Sequence, residues 1–157
     1  MTWIGISIVA GGVFLSKKVT VVSLENMERR EVVAVRLNPA QSFSLFYVHS
    51  IYRKPVIEEF HVEKGTIVLK GVRTKSPAVM EYYGFEDLKE FHPMNQRLGT
   101  FLIVRKGMGE GQGLTIGGKK IALSEIGEKG DRIRLKVGSM CLGRYLLLIV
   151  FGGNPPF

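Results

Sequence analysis

From Val19 onward, runs of β-branched and aromatic residues are broken roughly every 8–12 positions by Gly, Pro, Asn or paired charges, and no other feature limits the fold as strongly. Such runs suit a pleated, half-buried surface and are too short for helices that must bury a continuous stripe. The reading is all-β: a single antiparallel β-barrel or sandwich of about nine to ten strands with one short helix. The expected strands cover residues 19–24, 31–37, 43–51, 56–62, 66–73, 100–105, 113–116, 120–124, 131–137 and 145–151. Lys64-Gly65 and Gly117-Gly118 fit two-residue hairpin turns, and Arg53-Lys54 reads as a third. Residues 76–93 interrupt the rhythm with Pro77 and Gly84; within them Phe85, Leu88 and Phe91 recur at spacings of three, which allows at most a two-turn helix.

Length and composition limit the rest. At 157 residues the chain has room for one domain, and 45% hydrophobic residues supply a core despite 19 glycines. A single Cys141 forms no intrachain disulfide, and the absence of a CxxC or Cys/His cluster gives no sign of a metal or cofactor. Flanked by Met140 and Leu142, Cys141 reads as a small buried residue.

The first 18 residues stand apart from the β-domain expected over 19–157. Residues 2–16 carry no charge and include Trp3, Ile4, Ile6, Ile8, Val9, Val13, Phe14 and Leu15. The stretch is shorter than the about 20 residues a membrane helix needs, yet it lacks the polar face of a soluble helix. A membrane anchor or an uncleaved signal explains it best; the alternative is a pair of buried strands joined by Gly11-Gly12. The Lys17-Lys18 pair that follows would keep the downstream part cytoplasmic by the positive-inside rule.

With 22 Lys plus Arg against 14 Asp plus Glu, the net charge is +8. That excess draws anions, but most of it sits in pairs at chain reversals and forms no groove for nucleic acid. The ordered exception is Arg132, Arg134 and Lys136, which alternate with Ile133, Leu135 and Val137 and so share one strand face. It reads as a solvated face, with an anionic ligand or anionic lipid surface as the alternative contact. Alternating glycines from Gly107 to Gly113 lead into a strand and lack the Lys-Ser/Thr of a nucleotide loop, so they mark a hairpin loop. The apolar run 145–153 is too short to span a bilayer and fits a core strand or an interface patch.

One pair of residues invites chemistry. Phe43, Leu45, Tyr47, His49 and Ile51 share a strand face, as do Val56, Glu58, Phe60 and Val62, so His49 and Glu58 are polar residues on apolar rows. With Arg53-Lys54 as a two-residue loop, His49 falls opposite Glu58, Tyr47 opposite Phe60 and Leu45 opposite Val62. A buried His–Glu pair of this kind locks a hairpin or orients an imidazole as a general base. Ser50 is the adjacent nucleophile, on the opposite face of a regular strand. His61 and His92 have no expected partner.

The run Phe43-x-Leu45-x-Tyr47-x-His49-Ser50-Ile51, then Pro55-Val56-x-Glu58-x-Phe60-x-Val62 and Gly65-x-Ile67-x-Leu69, resembles the domain-of-unknown-function family numbered eighteen-fifty. Where many members carry a Gly-Ala-Gly element, this chain reads Ser76-Pro77-Ala78-Val79-Met80. The resemblance implies a small extracytoplasmic domain at the cell membrane, often encoded beside tripartite ATP-independent transporters of the TAXI type. A transporter membrane subunit or a solute-binding protein is the partner it implies, and it assigns no catalytic role to His49, Ser50, Pro55 or Glu58. The expected function is therefore that of a noncatalytic, membrane-associated accessory of a solute transporter. The alternatives are a hydrolase-like enzyme using His49 and Glu58, or a soluble β-barrel binding an anionic ligand through Tyr47, Arg132, Arg134 and Lys136.

Overall fold

The structure, a computed structural model, describes residues 15–29, 31–37, 42–107 and 111–151. The apolar segment before Leu15 lies outside the described residues, as does the centre of the glycine-rich loop. The described elements are β1 (Lys18–Asn26), β2 (Val32–Arg36), β3 (Ser42–Val48), β4 (Pro55–Glu63), β5 (Thr66–Arg73), α1 (Pro77–Tyr82), β6 (Phe91–Gly99), β7 (Phe101–Arg105), β8 (Gly113–Ile116), β9 (Lys119–Ala122), β10 (Arg132–Cys141) and α2 (Leu142–Phe151). They form two antiparallel sheets, a four-stranded one ordered β2-β1-β10-β7 and a six-stranded one ordered β6-β5-β4-β3-β8-β9. The fold is mostly β, and the two sheets stay open as in a sandwich.

Alternation along each strand fills the space between the sheets. Val22 and Leu24 of β1 and Ile133, Leu135 and Val137 of β10 meet Phe43, Leu45, Phe60, Ile67, Leu69, Leu114 and Ile116 from the larger sheet in one core. Phe43 stacks on Phe60 with ring centroids 5.1 Å apart. Each fully buried Leu or Ile contributes about 1.5–3 kcal/mol, so this layer carries most of the stabilisation. Turn chemistry sets the hairpins: Lys64 and Gly65 have φ of 49° and 78°, and Gly117 and Gly118 of 56° and 83°, the left-handed backbone that two-residue turns matching the strand twist require.

A second apolar layer lies outside the four-stranded sheet. Val19, Val21, Met140 and Leu142 cluster there, covered by Tyr145 and Leu148 of α2. The Tyr145 hydroxyl accepts from the Arg36 amide at 3.2 Å, and the Leu142 amide donates to the Lys17 carbonyl at 2.8 Å. Leu142, Tyr145 and Leu148 recur at spacings of three and form the packed stripe of a helix, which overturns the strand expected over 145–151. Cys141, at the junction of β10 and α2, is exposed and free, not buried as expected.

The interruption at 76–93 also differs from expectation. Pro77 opens α1 with its φ already set for a first helical turn, whereas the segment from Phe85 to Glu90 holds no helix. β6 then runs from Phe91 to Gly99 as an edge strand, the position at which Pro93 is tolerated because no neighbour needs its missing amide.

Candidate binding pocket

Three connections converge at one end of the sandwich: the β3–β4 turn, the end of α1, and the chain between β7 and β8. They enclose a cavity of about 610 Å³, lined by Tyr47, His49, Ser50, Arg53, Tyr82, Tyr83, Arg105 and Gln112 among others. The β3–β4 connection is wider than a two-residue loop. β3 ends at Val48, paired with Pro55, and the turn is closed by the His49 amide donating to the Lys54 carbonyl (2.8 Å) and the Arg53 amide to the His49 carbonyl (2.9 Å). Arg53 takes the left-handed backbone at φ 53°.

That wider turn moves the register. Leu45 stands opposite Glu58, Tyr47 opposite Val56 and Phe43 opposite Phe60, so the expected pairing of His49 with Glu58 is incorrect. The shift is an even number of residues, and it keeps Glu58 on the core-facing row while taking His49 beyond the paired strand.

Glu58 is bound instead by two phenols. The Tyr47 hydroxyl lies 3.1 Å and the Tyr83 hydroxyl 2.8 Å from Glu58 Oε1, and the two phenolic oxygens are 2.6 Å apart. Two phenolic protons serve three short contacts, so with Glu58 ionised one phenol donates to the other, which donates onward to the carboxylate. Burial, followed by the Glu58 charge, pushes the Tyr47 phenol far above its ordinary range. Burial raises Tyr83 as well; the Tyr47 hydrogen bond opposes this and the Glu58 charge adds to it. Both phenols therefore stay protonated donors.

His49 is buried within an aromatic ladder. Its ring stacks on Tyr52 at 5.2 Å and meets the edge of Tyr82 at 4.7 Å; the ladder continues through Tyr83 and Phe85 to His92, whose ring lies 3.9 Å from Phe85. The Tyr52 amide approaches His49 Nδ1 at 3.5 Å. Thr74 ties the insertion down by donating to the Pro55 carbonyl (3.0 Å) and accepting from the Ser76 amide (3.3 Å), and this places α1 over the β3–β4 turn. Gln112 closes the far wall: its amide nitrogen donates to the Arg105 carbonyl (3.2 Å) and its oxygen accepts from the Gly107 amide (2.8 Å).

Tyr47, His49 and Ser50 thus come together in one cavity, with Glu58 behind its wall. Among the described residues no carboxylate contacts His49, so they contain no acid-to-imidazole relay of the kind a hydrolase uses. His61 and His92 do have partners, Glu63 and Asp87 respectively, and no group of three or more His, Cys, Asp or Glu suited to a metal occurs among the described residues.

The basic stripe lies elsewhere, on the outer face of the four-stranded sheet. Arg132 Nε donates to Glu28 Oε1 at 2.8 Å and Arg134 Nη1 to Glu25 Oε2 at 3.2 Å, so both arginines of the stripe are ion-paired. Arg53, Tyr82, Tyr83, Arg105 and Gln112 escape the sequence reading because they come from three separate connections whose convergence is a tertiary fact. A local hint was present in Tyr82-Tyr83-Gly84, two aromatics at the glycine that ends α1. Comparison with family models, curated proteins and solved structures finds no match for this chain.

Proposed function

We propose that this protein is a noncatalytic β-sandwich held at a membrane surface. The observation that carries the reading is the outward side of α2: Leu146, Leu147, Ile149 and Val150 are exposed, Val150 to 70%, on a helix whose other side is packed on the sheet. A row of large apolar side chains left in water marks a contact surface. Leu15, itself 44% exposed, rests against Gly143 of this helix and adds to its apolar surroundings. Lys17, Lys18 and Arg144 are exposed around it, the flanking charges an interfacial helix uses toward anionic headgroups, at about 1 kcal/mol each. No helix among the described residues is long and apolar enough to cross a membrane, and the proposal places α2 in the plane of the interface. A solute transporter subunit is the membrane partner that the resemblance over roughly residues 32–76 implies, and the accessory role belongs to this proposal.

Flotation of the full chain with vesicles of mixed neutral and anionic phospholipid tests the reading. The wild-type chain is expected to float, and a Leu147→Glu/Val150→Glu double variant to stay at the bottom while its circular dichroism is unchanged. A wild-type chain that remains in the dense fraction, or a double variant that floats equally well, overturns it.

A further inference from the structure

The pocket at the β3–β4 end lies apart from α2, and its chemistry is of another kind. We propose that it is a binding site for a small planar organic anion of the aromatic carboxylate class.

Charge gives the first argument. The described lining holds Arg53 and Arg105 and no Asp or Glu, and neither guanidinium has an ion-pair partner among the described residues. Elsewhere Arg29, Arg73, Arg97, Arg132 and Arg134 each sit against a carboxylate, whereas Arg53 and Arg105 line one cavity together. His49, whose ring lines the cavity, likewise has no hydrogen-bond partner on Nε2 among the described residues. The two guanidinium groups match a carboxylate.

Shape gives the second. The phenolic hydroxyls of Tyr47 and Tyr83 are committed to each other and to Glu58, so these residues offer the cavity mainly their rings, beside Tyr82 and His49. Aromatic walls favour a flat ring over a bare inorganic anion. About 610 Å³ accommodates a molecule of one or two fused rings with room to spare, within the usual span of small-molecule sites. Tyr82 lines the cavity and is 60% exposed, so its ring is accessible to a ligand there.

The test is calorimetric titration of the full chain with 2-naphthoate, the uncharged 2-naphthalenemethanol and inorganic phosphate. Naphthoate is expected to bind saturably, and more tightly than either comparison compound. Arg53→Gln/Arg105→Gln is expected to weaken naphthoate about tenfold or more and leave the alcohol unchanged. Tyr82→Ala should weaken both ring compounds and not phosphate. All three positions are exposed, so these variants keep the core intact. Leu147→Glu/Val150→Glu should bind naphthoate as the wild type does, which separates this site from the membrane proposal. No saturable naphthoate binding, equal binding of naphthoate and the alcohol, phosphate binding as tight as naphthoate, or indifference to the arginine and Tyr82 substitutions overturns the proposal.

Discussion

Two polar centres of this sandwich handle their hydrogen bonds in opposite ways. At the turn between β1 and β2, Asn26 is fully buried and its amide is saturated: Nδ2 donates to the Ile126 carbonyl (3.0 Å) and Asp131 Oδ2 (2.9 Å), while Oδ1 accepts from the Glu28 and Arg29 amides (2.9 and 3.1 Å). Asp131 Oδ2 also accepts from the Glu128 amide at 2.9 Å and faces Arg29. At the aromatic end, Arg53, Arg105, His49 Nε2 and the buried His92 Nε2 are unmatched among the described residues. A centre that only holds the chain together closes its own network, because an unpaired buried polar group costs about 1–3 kcal/mol. At the other end the unmatched guanidinium groups are exposed at the pocket, where water or a bound anion can satisfy them.

The largest effect expected from breaking this contrast belongs to the saturated centre. Asn26→Leu should lower stability by about 3 kcal/mol, read as a drop in the urea midpoint, because it strands a carbonyl, a carboxylate and two amides at once. Naphthoate affinity should not change. Next is Glu58→Gln, which replaces a charged acceptor by a neutral one and should cost about 1–2 kcal/mol. In that variant the phenolate absorbance of Tyr47 should appear at lower pH, since the Glu58 charge is one of the forces holding the proton on.

The two centres should also fail at opposite ends of the pH scale. Tyr47 and Tyr83 have raised folded values, so the stability they contribute is complete below about pH 10 and is lost as pH rises beyond it. A Tyr47→Phe/Tyr83→Phe variant should unfold less steeply in alkali. Asp131 is held below the ordinary carboxylate range, first by the Asn26 hydrogen bond, then by the Glu128 amide and the Arg29 charge. Its contribution is therefore complete above about pH 4 and is lost as pH falls further, and Asp131→Asn should flatten the acid limb of a urea-midpoint profile. Smallest is Arg132→Gln: the exposed ion pair with Glu28 is screened by solvent, and the urea midpoint should not move measurably.

What the sequence could reveal divides along the same line. The Lys64-Gly65 and Gly117-Gly118 turns were readable because a left-handed backbone is a local demand with a local residue signature, and the paired strands follow from it. The β3–β4 turn was not, because its closure depends on hydrogen bonds between His49 and the Arg53-Lys54 region, and nothing in the spelling of residues 49–54 distinguishes a two-residue loop from a wider one. Face parity survives an even slip, so alternation puts Glu58 on the inner row whichever residue stands opposite it. α2 is hidden in the sequence because an apolar run such as Leu146 to Phe151 shows no polar alternation, and only the Leu142, Tyr145, Leu148 spacing separates the two periods. The pocket was legible only in Tyr47, His49 and Ser50.

The pairing of β1 with β10 has a consequence in time. Ser23 and Lys136, joined across these strands, lie 113 residues apart, and the two strands form the middle of the smaller sheet. On a ribosome adding about 5–20 residues each second, β1 waits roughly 6–25 s for its central neighbour to be made. During that interval Val19, Val21, Val22 and Leu24 have only β2 beside them, so the four-stranded sheet closes last and slowly. Nascent chains halted before β10 should be the protease-sensitive, chaperone-bound form of this protein, and release of the final strand should be the step that makes them resistant.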